Sequence, residues 1–89
     1  MQDHHDFIEI TILRGSNLCG TKIKKLKAII KQYQSIRSKI SIYAVYSCKK
    51  LSAIINDDYI LREGDTIILR VNPSVYKSNE WEKFIKKIM

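Results

Sequence analysis

Acidic residues are missing from the middle of this chain. From Ile10 to Asn56 there is no Asp or Glu, whereas the same span holds ten basic residues: Arg14, Lys22, Lys24, Lys25, Lys27, Lys31, Arg37, Lys39, Lys49 and Lys50. The carboxylates lie at Asp3, Asp6 and Glu9 and then from Asp57 onward, and the 89-residue chain carries a formal net charge of +7. A folded domain with this asymmetry is expected to show a positive face that attracts phosphate, an acidic protein or an anionic surface. Lysines that only confer solubility give the same pattern, because charge alone does not define a site.

Cysteine is scarce as well. Cys19 and Cys48 are the only two and form no CxxC pair, which argues against a disulfide framework and leaves two buried or half-buried thiols as the expectation, with one bridge between them as the alternative. With three glycines and one proline there is no low-complexity linker. Nor is there a phosphate-binding loop, since Gly15 and Gly20 lack the glycine pattern and the Lys-Ser/Thr that follows it. No apolar run approaches the length of a membrane span. The polar, acidic stretch Met1-Gln2-Asp3-His4-His5-Asp6 has the wrong chemistry for a secretory signal, so a cytoplasmic location is expected. The 45% hydrophobic content supports a folded chain, and its length supports one domain of modest stability.

A catalytic constellation is also lacking. Adjacent His4 and His5, even with Asp3 or Asp6, rarely close a metal site on a terminus. Asp57 and Asp58 are neighbours, but no nearby His suggests acid–base work, and they read as turn residues. Neither histidine has a reason to lie beside Cys19 or Cys48 as an activating base. The expectation is a protein with no enzymatic activity, no cofactor and no bound metal.

What is present is clear patterning. Phe7 to Leu13 alternates, with Ile8, Ile10 and Ile12 on one side and Glu9 and Thr11 on the other, as in a half-buried strand. Arg14-Gly15-Ser16-Asn17 is a turn signal, Leu18-Cys19 suits a very short return strand, and Thr21 suits a helix cap. Lys22 to Gln34 predicts a helix: Ile23, Leu26, Ile30 and Tyr33 recur at three- and four-residue steps, and Ile29 widens the stripe. Lys24, Lys27 and Lys31 line its other side as a basic ridge. Ile40 to Tyr46 alternates again, with Ile40, Ile42 and Ala44 opposed to Ser41, Tyr43 and Val45. Lys49 to Asp58 fits either a helical turn or a short strand, closing on the turn residues Asn56-Asp57-Asp58. Thr66 to Val71 predicts a strand with Ile67, Leu69 and Val71 inward. Asn72-Pro73-Ser74 ends the regular region. Asn79 then caps a second helix with Glu82 in capping-box position, and Trp81, Phe84, Ile85 and Ile88 share one face.

One long helix across a small mixed sheet is a sound two-layer arrangement for this length. Gly20-Thr21-x-Ile23-x-x-Leu26 resembles the helix start of ubiquitin-like β-grasp proteins, particularly the small sulfur carriers of the MoaD and ThiS type. Asn56…Leu61-x-x-Gly64-Asp65-x-Ile67-x-Leu69 resembles their final turn and strand. The two signatures occur in the family's order and together span Phe7 to Val71. A Gly-Asp turn before a strand also occurs in S4 and TGS modules. The resemblance implies an α+β, ubiquitin-like β-grasp domain over residues 7–72, preceded by a flexible 1–6 and followed by a helical extension over 73–89. Carriers and ubiquitin-type modifiers end in an adenylated Gly-Gly, whereas this chain has glycine only at 15, 20 and 64.

The expected role is therefore a non-enzymatic, MoaD/ThiS-like protein-interaction module without the carrier tail. Its expected binding surface is Lys24, Lys27, Lys31, Arg37, Lys39, Lys49 and Lys50. The alternatives are a small basic RNA-binding protein that uses the same surface, with Tyr43 and Tyr46 as stacking rings, and a sulfur-carrier-related protein. The partner is expected to be another protein, with an acidic surface, or nucleic acid, and not a membrane. Trp81, Phe84, Ile85 and Ile88 pack back on the sheet or are presented to a partner, including a second copy of the chain as a homodimer.

Overall fold

Three of the period-two segments become strands in a computed structural model, which describes residues 4–47 and 56–89. They are β1 (Asp6–Thr11), β2 (Ile40–Tyr46) and β3 (Thr66–Val71). The order in the sheet is β1-β3-β2, and both pairings are antiparallel. The central strand β3 buries Ile67, Leu69 and Val71 completely, as their spacing predicts. β1 sends Ile10 into the core, and Ile12 follows just beyond the strand, while Glu9 and Thr11 stay exposed. The mixed sheet expected from the resemblance is not formed by the described strands. They make a three-stranded antiparallel sheet which, with two helices, gives a small α+β domain.

β2 corrects its expected alternation. The register with β3 shifts between Ile42 and Ala44, so one extra residue is accommodated there as a bulge. Beyond it the side-chain faces exchange. Val45 pairs with Ile67 and is buried, whereas Tyr43 stays 60% exposed.

Helix α1 (Ile23–Lys31) buries Ile23, Leu26, Ile29 and Ile30, and Tyr33 packs at the edge of the same core just past its end. It is shorter than its periodicity suggests, and Thr21 is not its cap. Lys22 occupies that position without a side-chain cap, while the Thr21 hydroxyl donates to the Leu18 carbonyl at 2.7 Å. The first-turn N–H groups, which lack intrahelical acceptors, are met from far along the chain. Ile23 donates to the Tyr59 carbonyl and Lys24 to the Asp57 carbonyl, each at 3.0 Å. Leu18 and Cys19 form no return strand. Successive turn bonds, from Cys19 N–H to Ser16 O and from Thr21 N–H to Leu18 O, curl the segment instead. Leu18 is buried and Cys19 exposed, so the expected burial of that thiol does not hold. Cys48 lies outside the described residues.

Gly64 explains the reversal before β3. Its φ of 91° is in the left-handed region that favours glycine. There its N–H donates to Ile12 O while Ile12 N–H donates to Asp65 O, both at 2.8 Å. At the other end of β3, Asn72 Oδ1 accepts from Ser74 N–H and starts a 3-10 turn over Pro73–Lys77.

Helix α2 (Asn79–Ile88) is capped by Ser78, not Asn79, with Ser78 Oγ accepting from Glu80 N–H at 3.1 Å. Glu80 and Glu82 sit in its first turn and Lys86 and Lys87 in its last, as the helix dipole favours. Val75, Phe84 and Ile88 are fully buried and belong to the same core as Leu26 and Leu69. Residues 73–89 thus complete the core. Both helices cover one face of the sheet.

Candidate functional site

Among the described residues, a surface concavity runs between α1 and the strand β2. It is a groove of about 350 Å³ lined by Lys27, Ile30, Lys31, Arg37, Ile40, Ser41 and Ile42. α1 supplies one wall because Ile30 turns inward at helical spacing while Lys27 and Lys31 stand at its rim. A turn and a short 3-10 segment, Arg37–Lys39, then return the chain to β2 with the exposed Arg37 lining the groove. The floor is apolar and the rim cationic.

The expected basic surface is divided. The Asn56-Asp57-Asp58 turn, braced by Asp58 N–H donating to Asn56 Oδ1 at 2.9 Å, lies against the start of α1. Lys27 Nζ meets Asp57 Oδ1 at 2.7 Å, Lys24 Nζ meets Asp58 Oδ1 at 3.1 Å, and Lys22 Nζ lies 3.7 Å from the same oxygen. The Lys24 hydrogen bond and charge, then Lys22, hold the Asp58 carboxyl below its ordinary pKa. These exposed pairs contribute little to stability, but they offset two of the four positive charges of Lys22, Lys24, Lys25 and Lys27 at the start of the helix. Among the described residues no carboxylate lies within ion-pair distance of Lys31 or Arg37. Lys39 lines a different cavity, of about 250 Å³, with His5, Ser38, Arg70 and Asn72 among its neighbours. Lys49 and Lys50 fall outside the described residues.

The groove also borders unused backbone. Asn72 N–H donates to Lys39 O at 2.9 Å, and Ile40, Ser41 and Ile42 stand opposite Val71, Arg70 and Leu69. Main-chain groups alternate in direction along an antiparallel pair. Lys39 O and the main-chain groups of Ser41 therefore face β3, while Lys39 N–H donates to Ile36 O at 2.9 Å, and Ile40 and Ile42 point theirs outward into the groove. Among the described strands none pairs with that edge.

The outer face of the sheet carries exposed rings among the described residues. Phe7 and Tyr43, 56% and 60% exposed, meet edge to face with ring centres 4.9 Å apart. Phe7 was not among the expected site residues. Its place on the Glu9 and Thr11 side of the alternation is the signal that marks it. Tyr46 is half-buried.

The apolar face of α2 is occupied. Phe84 and Ile88 are inside the core, with Trp81 and Ile85 packed against it. The Phe84 ring lies 5.8 Å from Tyr33 and 5.9 Å from Trp81. A partner or second copy taking Phe84 or Ile88 would have to open the core.

The buried Asp65 serves the turn. Its Oδ2 accepts from the Tyr59 hydroxyl at 2.7 Å and from Arg62 N–H at 3.0 Å. Burial, and then this hydrogen bond to Asp65, push the Tyr59 phenol up. Near the N-terminus, His4 Nε2 faces Asp6 Oδ1 at 3.1 Å, whereas His5 Nδ1 faces the Arg70 guanidinium at 3.4 Å. Among the described residues no three His, Cys, Asp or Glu side chains gather as a metal site, and no helix is long and apolar enough to cross a membrane. No family model matches the chain, and no curated protein matches it significantly.

Proposed function

We propose that the protein is a non-enzymatic protein-interaction module that engages an acidic partner through the α1–β2 groove. The carrying observation is the combination of an apolar floor, formed by Ile30, Ile40 and Ile42, with two rim cations, Lys31 and Arg37, that have no ion-pair partner among the described residues. Interface cores of this kind combine apolar contact with charge complementarity at the rim. A ubiquitin-like kinship is part of the proposal. It draws support from the two sequence signatures and from a helix laid across the sheet, while the antiparallel pairing of β1 with β3 departs from a mixed sheet.

Affinity capture from native lysate, with and without nuclease, tests this reading. The chain is compared with a Lys31→Glu/Arg37→Glu variant, whose exposed positions leave the core intact. The expected outcome is a discrete protein, recovered regardless of nuclease and lost on charge reversal. Recovery that survives the reversal, or that nuclease abolishes, refutes it.

A second reading, single-stranded nucleic-acid binding, draws on the other surface. There the Phe7–Tyr43 ring pair offers a stacking platform and Arg70 a phosphate contact. It predicts salt-sensitive RNA binding that is lost in a Phe7→Ala/Tyr43→Ala variant. No binding to RNA at low salt removes it.

A further inference from the structure

Resting on the protein-interaction reading, we infer that the groove's occupant is an extended acidic segment that adds itself as a strand to the edge of β2 that no described strand pairs with, alternating aliphatic with acidic residues. The backbone geometry carries the argument. Ile40 and Ile42 turn their N–H and C=O groups away from β3, and an exposed row of such groups is a template for another strand. The groove lies along that row, so an incoming strand set beside Ile40–Ile42 places alternate side chains between β2 and α1.

The side of the strand facing α1 meets Ile30, Ile40 and Ile42, which suits Val, Ile or Leu. The opposite side passes the exposed Ser41 and Tyr43 and stays in water. Lys31 and Arg37 at the rim, with Lys27 already bound to Asp57, select negative charge at the segment's flanks and disfavour basic sequences. A lysine-rimmed edge is also what discourages copies of the chain from pairing edge to edge. The bulge at Tyr43 breaks the regular register beyond Ile42, so the ladder is short. A short ladder selects a weak, reversible partner.

The test is selection of randomised peptides of roughly eight residues, somewhat longer than a typical strand, against the whole chain, with the Lys31→Glu/Arg37→Glu variant as counter-selection. Enriched sequences are expected to alternate aliphatic and other residues, with Asp or Glu at the flanks. N-methylation of a selected peptide at successive positions is expected to weaken binding about tenfold at alternate residues only, the loss of one or two main-chain hydrogen bonds. On binding, the Ile40 and Ile42 amides are expected to gain hydrogen-exchange protection. An Ile42→Pro variant removes the outward N–H at a position where an edge strand tolerates proline. It should lose the peptide, and the methylated peptides make the same test on an unaltered domain.

Enriched peptides with helical spacing, or peptides indifferent to N-methylation, overturn strand addition while leaving a protein partner in place. So does an empty selection when charge reversal still abolishes lysate capture. An empty selection together with capture unaffected by the reversal removes both readings. Displacement of the peptide by single-stranded RNA would make nucleic acid the occupant, which also overturns it.

Discussion

Replacing Phe84 by Ala asks whether the C-terminal helix is an attachment or a wall of the core. The ring is fully buried and packs near Tyr33 on the far side of the molecule in sequence and near Trp81 on its own helix. Phe→Ala at such a site costs about 3–5 kcal/mol, the lost transfer energy plus the cavity left behind. A small domain holds roughly 5–15 kcal/mol in total, so the variant should lose about a fifth or more of its stability. At about 4–8 °C per kcal/mol for this size, Tm should fall by roughly 12 °C or more. Trp81 is the only tryptophan, so urea unfolding followed by its fluorescence reports on α2 while far-UV circular dichroism reports on the whole fold. The two transitions should coincide in the parent chain and shift together in the variant. Phe7→Ala, at an exposed position, is the control and should change stability by no more than about 1 kcal/mol. A Phe84→Ala loss below about 1 kcal/mol, or a Trp81 transition separate from the dichroism transition, would refute the single-core argument.

Three further outcomes test local features. Because the bulge places Val45 inside and Tyr43 outside, Val45→Ala should cost roughly 2 kcal/mol and Tyr43→Ala less than about 1 kcal/mol in urea denaturation; the reverse order would restore strict alternation. Glu80 Oε1 accepts from the Ser35 hydroxyl and from Ser35 N–H, and these bonds hold its carboxyl below the ordinary 4.5. A depressed folded-state value stabilises above the unfolded pKa and is lost as pH falls through the folded one, so Glu80→Gln should flatten the acid side of a Tm-versus-pH profile. Tyr59 is raised above its ordinary 10.0 by burial and the Asp65 bond. Its contribution is therefore full below that pH and lost as pH rises through the folded value. Tyr59→Phe should cost roughly 1–2 kcal/mol at neutral pH and remove that alkaline dependence, as read by denaturation between neutral and alkaline buffers.

The elements that could be read from the chain are those whose signal is periodic and local. Ile23, Leu26, Ile29 and Ile30 mark one helical stripe, and Ile67, Leu69 and Val71 mark one strand face. In both cases burial follows the spacing. The errors cluster where a local rule meets a remote group. Thr21 and Asn79 look like caps, yet carbonyls of Tyr59 and Asp57 serve one helix start and Ser78 the other. The site shows the same division. Its cations were visible in the sequence. Asp57 and Asp58, however, pair with Lys27 and Lys24 from thirty or more residues away, whereas Lys31 and Arg37 have no ion-pair partner among the described residues.

By itself the amino-acid order determined the inventory: two amphipathic helices, inward isoleucines at period two, a Gly-Asp reversal and a surplus of positive charge. These follow from side-chain geometry along a single element. Tertiary structure alone decided that the strands run antiparallel in the order β1-β3-β2, that a bulge turns Val45 inward, that Phe84 closes the core, and that the backbone of Ile40 and Ile42 faces an open groove. Each depends on which segments meet in space, and periodicity within one segment carries no information about its neighbour.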